Sequence, residues 1–494
     1  MSDLRDRAST RLAFTIIAVF GVVTAFMGYR HGLCCADDAS FAVVSKNVAH
    51  GIGYVLSMSY DGLPFVEQPF APKLGMGPTS IIFVAAFIKL FGAYIWVPPV
   101  ASAVLNSIFL CVLAVGLAPI VGPRRLPFAL VAFLAGSIAI NFAFVGFWYT
   151  QFGEIPAILA TLTGYVWWCR PERTARQTVV SGIFLALGFL SKEMNAIYIF
   201  PIAAIAIRDA IERRSLSHGI ALAVGLAMPV ACFEIYRFVQ FGSAGAYLEN
   251  WREHLAFVSS QGGRNGAVSM LETVRDRMTL FRHQFSVTLW FALGCAVVAS
   301  SFVKGNTRLT LLSRLVFAAV ILHVAYWLFA SNGWARYVYE AMIAFCFLLA
   351  IVIASDSSKF LVGACIVAIA VMAFNTRDEL RGTNAVIGRG LISTRAFPTI
   401  DADKKTIDYL VEHSNGNRVY TSWWAAVANL EYLSPRRLLF QEWNHHPDGD
   451  KAPYLMVTNE RFEYPNAFFL EALRKCGAPI FIDAPYRVYQ CRPD

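Results

Sequence analysis

The chain reads as a polytopic α-helical membrane protein with a small extracytoplasmic α/β domain at its C-terminus. Three observations point there. Of 494 residues, 57% are hydrophobic and only 15% charged, and the mean hydropathy is +0.52, whereas soluble domains carry about 25% charged residues. The apolar residues gather in runs near the ~20 residues that cross a bilayer as a helix. The basic residues stand dispersed between these runs. Despite a net charge of +9, that spacing reads as membrane topology and not as a nucleic-acid surface.

The first run, Leu12–Gly28, follows Arg5, Arg7 and Arg11. No small-residue cleavage site follows it, so an uncleaved first helix with a cytoplasmic N-terminus is expected. Further spans are expected at 97–120, 126–147, 153–169, 177–191, 194–208, 217–238, 284–303, 311–330, 337–354 and 359–375. One more apolar run, TSIIFVAAFIKLFGAYI (79–95), decides the parity. If it crosses, Arg124, Arg125, Arg208, Arg213, Arg214, Lys304, Arg308 and Arg314 fall outside. If it is re-entrant or interfacial, they fall inside with Arg170, Arg173, Arg176 and Lys359, as the positive-inside rule requires. Lys89, costly in mid-membrane, argues the same way. About eleven crossings result, with the C-terminus outside.

This topology divides the chain into a transmembrane domain, 1–375, and a soluble tail, 376–494. Outside lie a long first loop (29–96), the loop around Glu154, the SKEMN hairpin (191–195), a later loop (239–283) and the SNGWARYVYE turn (331–340). In the tail, DADKKTIDYLVEHS (401–414) has helical periodicity. RVYTS (418–422), YLMVTN (454–459), PIFIDA (479–484) and YRVYQC (486–491) read as strands, with a helix at 466–475. WNHHPDGD (443–450) reads as a solvated loop, since no third metal ligand is spaced for it. Cys476 and Cys491 lie on neighbouring elements and are expected to pair. Cys34 and Cys35 are adjacent, and a bond between them would be strained.

Chemistry then belongs to the outer face. Asp37 and Asp38 stand where the chain leaves its first span. A carboxylate there can take a proton from a hydroxyl nucleophile or hold a divalent ion against a phosphate. Glu154 is a second carboxylate on the same side, and Lys192 and Arg336, beside Tyr337, supply cations at the ends of two other spans. Carboxylates and cations on one face suit a reaction in which a hydroxyl attacks and a phosphate departs. Each has a plainer reading. Loop carboxylates are commonly solvated, Glu154 before Pro156 can be an ordinary helix start, Lys192 can pair with Glu193, and Arg336 with Tyr337 can be an interfacial anchor. His50 reads first as a turn residue; with Lys73 it is carried as a further substrate contact in the first loop.

The ordered set is more specific than its members. DDASFAVVSKNVAHGIGY, then GPTSIIFVAAFIKLFG (77–92), GEIPA (153–157) and SGIFLALGFLSKE (181–193) resemble the GT-C superfamily of polytopic glycosyltransferases. The likeness is greatest to the branch with protein O-mannosyltransferases and lipid A aminoarabinose transferase. It runs over residues 10–240. It implies that Asp37 is the general base, with Asp38 beside it as a catalytic partner or metal ligand. It also implies that Glu154 is the second carboxylate, binding metal or substrate, and that Lys192 meets the donor phosphate. The pair is Asp-Asp where the family more often has Asp-Glu, and GPT stands for the usual PPL.

The resemblance implies inverting transfer of a sugar from a polyprenyl-phosphate donor to a hydroxyl of a cell-envelope glycan, lipid or protein. A divalent cation, Mg or Mn, is the only cofactor it suggests. Membrane lipid is the partner, nucleic acid is not, and the expected location is the bacterial inner membrane with a periplasmic tail. The rival is a transporter or lipid flippase. It would need ionisable groups at mid-membrane and internal repeats; Glu234, Arg237 and His323 are its candidates, and no repeat is found.

Overall fold

The structure, a computed structural model, describes residues 2–491 except 34–35, 59–65, 73, 75–76, 140–145, 172, 214–215, 261–269, 286–306, 332–334, 355–362, 364–396, 415–417, 423–426, 436–437, 443–453 and 461–466. The helical body runs α1 (Ser2–His31), α2 (Ala36–Ala49), a two-stranded hairpin of β1 (Val55–Met58) and β2 (Val66–Pro69), then α3 (Pro78–Phe91), α4 (Val97–Val121) and α5 (Leu126–Ala139). It continues through α6 (Glu154–Trp168), α7 (Ala175–Phe189), a 3₁₀ turn (Glu193–Tyr198), α8 (Ile199–Arg213), α9 (Ser217–Phe241), α10 (Ala244–Ser260), α11 (Met270–Phe285), α12 (Thr307–Phe329) and α13 (Ala335–Ala354).

Five stretches among the described residues are long and apolar enough to cross a membrane: Arg5–Arg30, Val97–Val121, Glu193–Glu212, Ser217–Phe241 and Thr310–Phe329. The run expected to be re-entrant is the 14-residue α3, about 21 Å long at 1.5 Å per residue. Of the spans expected at 284–303 and 359–375, all but residues 284–285 and 363 lie outside the described residues, as do Cys34, Cys35 and WNHHPDGD. Two segments read as a loop and a turn carry helix. The later outer loop is largely helical, forming α10 and α11. The expected turn at 331–340 is already α13 from Ala335 onward. Arg336, Tyr337 and Glu340 therefore project from a helix.

Local chemistry sets the helix ends. Pro78 occupies the first position of α3, where a missing N–H costs nothing, and Gly92 and Gly122 close α3 and α4 at positive φ. Thr174 and Gln177 form a reciprocal capping box on α7. Helix α13 is buried on every side from Val338 to Val352 and packs against α5, α6 and α12. A helix apolar all round belongs in such a place.

Small residues let backbones approach. A Cβ on Gly182 would lie 2.4 Å from the Leu222 carbonyl oxygen, and one on Gly225 would lie 2.2 Å from that of Val179. The α7–α9 contact is thus built on two glycines, the way apolar helices pack without a hydrophobic drive between them.

The tail is a five-stranded sheet in the order β4-β3-β5-β7-β6. Its strands are β3 (Arg418–Thr421), β4 (Leu439–Glu442), β5 (Tyr454–Asn459), β6 (Phe481–Asp483) and β7 (Tyr486–Cys491). The β4-β3-β5 part is parallel and the rest antiparallel. With it go α14 (Phe397–His413), α15 (Ala428–Leu433) and α16 (Ala467–Lys475). Strand β4 and helix α15 were not expected from sequence. Each is only one turn or a few residues long, too short for a period to show. Cys476 and Cys491 are joined.

Lys46, near the end of α2, fastens the tail to the helical body. Its Nζ donates to the carbonyls of Glu431 (3.4 Å), Tyr432 (2.5 Å) and Ser434 (3.0 Å), at the C-terminus of α15. A cation suits the negative end of a helix. Burial nevertheless pushes the ammonium down to about 8, with Glu431 opposing the shift. Tyr432 Oη also donates to Tyr94 O at 3.3 Å. A cavity of about 300 Å³ opens beside this junction, lined by Asn47, His50, Ser57, Leu438 and Phe440 among others.

Two outcomes follow from these contacts. The Gly182→Val change should lower the thermal unfolding temperature of the detergent-solubilised protein, because overpacking costs about 1–3 kcal/mol; an unchanged midpoint would count against the close α7–α9 approach. Lys46→Met should strip three carbonyls of their donor and loosen the tail by about 1–3 kcal/mol. Hydrogen exchange over 428–434 should then speed up, and unchanged protection would reject the docking role.

Candidate functional site

The acidic pair lies in the first turn of α2, where negative charge is favoured by the helix dipole. The structure gives its two members different surroundings. Asp38 is fully buried, and its Oδ1 accepts the Gln151 backbone N–H at 2.6 Å. Gln151 Nε2 in turn donates to Ser45 Oγ at 2.6 Å, two turns further along the same face of α2. Asp38 thus latches α2 to the segment that leads into Glu154. Asp37 is 30% exposed, and its Oδ2 accepts from Arg336 Nη1 at 2.6 Å.

Glu154 opens α6 after Gly153, whose φ of 86° permits the abrupt helix start. Its Oε1 accepts from Lys192 Nζ at 2.7 Å, and both residues are buried. Lys192 Nζ also donates to Phe152 O at 3.2 Å. The ammonium lies 5.8 Å from the centre of the Tyr337 ring. Arg336 lies over the same ring at 5.3 Å and over Phe152 at 5.9 Å. Two cations therefore share one aromatic ring, a favourable arrangement for each.

Lys192 itself is held by the GPT segment. Gly77 N donates to Ser191 O at 3.0 Å, Thr79 N to Leu190 O at 3.1 Å, and Thr79 Oγ1 to Leu187 O at 3.0 Å. These bonds satisfy carbonyls at the end of α7 that have no partner within the helix. The approach is so close that a Cβ on Gly77 would stand 2.1 Å from Leu190 O. Only glycine fits there.

The structure thus brings together Asp37, Asp38, Glu154, Lys192, Arg336 and Tyr337. His50 is not with them. It sits exposed beyond the far end of α2, about 20 Å along the helix from Asp37 at 1.5 Å per residue. It borders the tail cavity, where burial and then Lys46 and Lys89 push its imidazole below the ordinary value. Lys73 lies outside the described residues.

The donor set does not fit a divalent ion at Asp38 and Glu154. One has its Oδ1 on a backbone N–H, the other is paired to Lys192, and no group of three or more His, Cys, Asp or Glu that could hold a metal occurs among the described residues. The transport candidates are paired or buried apart. Glu234 and Arg237 face each other at 3.6 Å near the end of α9, and His323 Nε2 is bonded to Tyr337 O at 2.6 Å.

Three polar residues at the site escaped the sequence reading. Glu340, Asn195 and Thr161 are all buried, and they are joined to one another through Asn195 in the turn that follows Lys192. One signal for Glu340 was present: an ionisable residue inside an apolar helix is a functional candidate by position alone.

No family model matches the chain, and no curated protein matches it. Among solved structures, ArnT from Cupriavidus metallidurans bound to undecaprenyl phosphate superposes with a TM-score of 0.62 at 11% identity, over 97% of this chain and 99% of that one. The apo state of the same protein gives 0.58 at 12% identity, with the same coverage. The match spans helical body and tail together, and at these identities it speaks for fold alone: the chain has the fold of those structures.

Proposed function

We propose that the chain is a membrane glycosyltransferase that moves a sugar from a polyprenyl-phosphate donor to an acceptor hydroxyl. One observation carries this reading. A partly exposed carboxylate, Asp37, stands beside two cations, Arg336 and Lys192, that converge on Tyr337, within a fold shared with a protein that was solved with undecaprenyl phosphate bound. The acceptor is a cell-envelope glycan, lipid or protein, and the site faces the outside of a bacterial inner membrane, as the basic loops suggest.

The step is an inverting displacement. The acceptor oxygen attacks the anomeric carbon, and Asp37 Oδ1 takes its proton while Oδ2 stays on Arg336. The bond from the sugar to the phosphate oxygen breaks, and its electron pair leaves with the phosphate. Charge gathers on that phosphate as the sugar becomes oxocarbenium-like. Lys192 and Arg336 stabilise it. Glu154 holds Lys192 in place until the phosphate competes for it. Asp38 keeps Asp37 at the correct end of α2. No part of this scheme is routed through a metal.

The direct test is incubation of purified protein in lipid nanodiscs with labelled polyprenyl-phosphate sugars and candidate acceptors. Release of sugar from the donor only in the presence of an acceptor is the expected result; translocation of the intact lipid without transfer would favour the flippase reading. Within that assay, Asp37→Asn should lower kcat by about 10²–10⁴-fold with little change in donor binding. Near-normal turnover would remove Asp37 as the base. Lys192→Ala should raise the donor KM and lower kcat together, since the lysine meets the phosphate before and during its departure. Gly77→Ala should imitate Lys192→Ala in a weaker form by displacing the turn that carries the lysine. If Gly77→Ala leaves both constants unchanged, the GPT segment does not position Lys192.

A further inference from the structure

Glu340 is a buried carboxylate with no part in the scheme above. It lies on α13 four residues after Arg336 and three after Tyr337, on the same helical face. It is fully inaccessible. Its Oε2 accepts from Asn195 Nδ2, and its Oε1 has no hydrogen-bond partner among the described residues. A carboxyl group placed among apolar side chains is costly, and an apolar residue would commonly pack there at less cost. Its position calls for a reason beyond stability.

Asn195 supplies one. It belongs to the 3₁₀ turn that follows Lys192, and its backbone N–H donates to Lys192 O at 2.9 Å. Its side-chain oxygen accepts from Thr161 Oγ1 of α6 at 3.2 Å. The amide of Asn195 is therefore clamped on both sides, by α6 through Thr161 and by α13 through Glu340. The two cations of the site come from separate elements: Lys192 from this turn, Arg336 from α13. Among the described residues, Glu340–Asn195 is the side-chain hydrogen bond that joins those two elements.

We propose that Glu340 is a positioning residue: through Asn195 it fixes the turn carrying Lys192 relative to the helix carrying Arg336 and Tyr337, and so sets the spacing of the two cations that receive the donor phosphate. The inference rests on the functional reading above. Its substance is geometric. What matters is a hydrogen bond between positions 340 and 195, not the direction in which it runs.

The test uses the full-length protein in nanodiscs, with undecaprenyl phosphate as the probe and hydrogen exchange over Glu193–Tyr198 as a second readout. Glu340→Ala and Asn195→Ala should each weaken binding by roughly 10- to 100-fold, the scale of a small misplacement at a reacting site, and should speed exchange in the turn. The double alanine variant should be no worse than either single one, because both remove the same bond. Asn195→Asp alone sets two carboxyl groups against each other and should bind poorly. Combining it with Glu340→Gln exchanges donor and acceptor while keeping one carboxyl group, and should restore both binding and protection.

Losses that add, alanine variants that bind like wild type, or an exchanged pair no better than Asn195→Asp would each overturn the proposal. If an alanine variant fails to fold, the exchanged pair still decides. Wild-type protein that binds no undecaprenyl phosphate would overturn the functional reading instead, and the exchange rates would then decide the tether by themselves.

Discussion

A carboxylate withdrawn from water into a helical bundle must meet a cation or an N–H, and this requirement organises the ends of four segments around one site. Asp38 meets a backbone amide, Glu154 meets Lys192, and Glu340 meets an asparagine amide. Each pairing joins two elements distant in sequence. The same bonds that make the charges tolerable therefore fix the relative positions of α2, α6, α13 and the 3₁₀ turn. Removing one partner of such a pair leaves the other buried and uncompensated, a loss of about 3–5 kcal/mol in buried pairs. Polar groups here carry the architecture as much as the chemistry.

Asp37 is the member set apart. It is the one carboxylate of the cluster with substantial exposure, and its cation is itself only partly covered. An acidic pair at adjacent positions of a helix cannot point both members the same way, since successive residues turn by about 100°. One faces the packed segment before α6; the other faces the open side. The division of labour follows from helical geometry and would hold for any two neighbouring acids at this turn.

Much of the site was legible in the sequence because its charges interrupt long apolar runs. Asp37, Glu154, Lys192 and Arg336 all stand at the edges of such runs, where an ionisable residue is conspicuous, and all four meet in space. His50 was conspicuous for the same reason and does not join them, because a helix of 14 residues separates the two ends of α2 and nothing in the spacing says which end bears the chemistry. Asn195 and Thr161 carry no charge and sit in ordinary helix or turn contexts; only the folded arrangement shows that they clamp each other. In the tail, the strands with clear alternation were foreseen. Strand β4 was not, since four residues after a Pro-Arg-Arg stretch show no period, and its place at the parallel edge depends on pairing with β3.

Helix α2 has the acidic pair at one end and Lys46 at the other, and Lys46 is held by the carbonyls of the tail. A short helix is stiff, about 21 Å long for 14 residues. It therefore acts as a lever with the C-terminal sheet domain gripping one arm and the acidic pair on the other. A shift of the tail is carried along the rod to the end where Asp37 meets Arg336. Displacements of the tail are in this way mechanically geared to Asp37 at the other end of α2, with no need for the tail to touch Asp37 or Arg336.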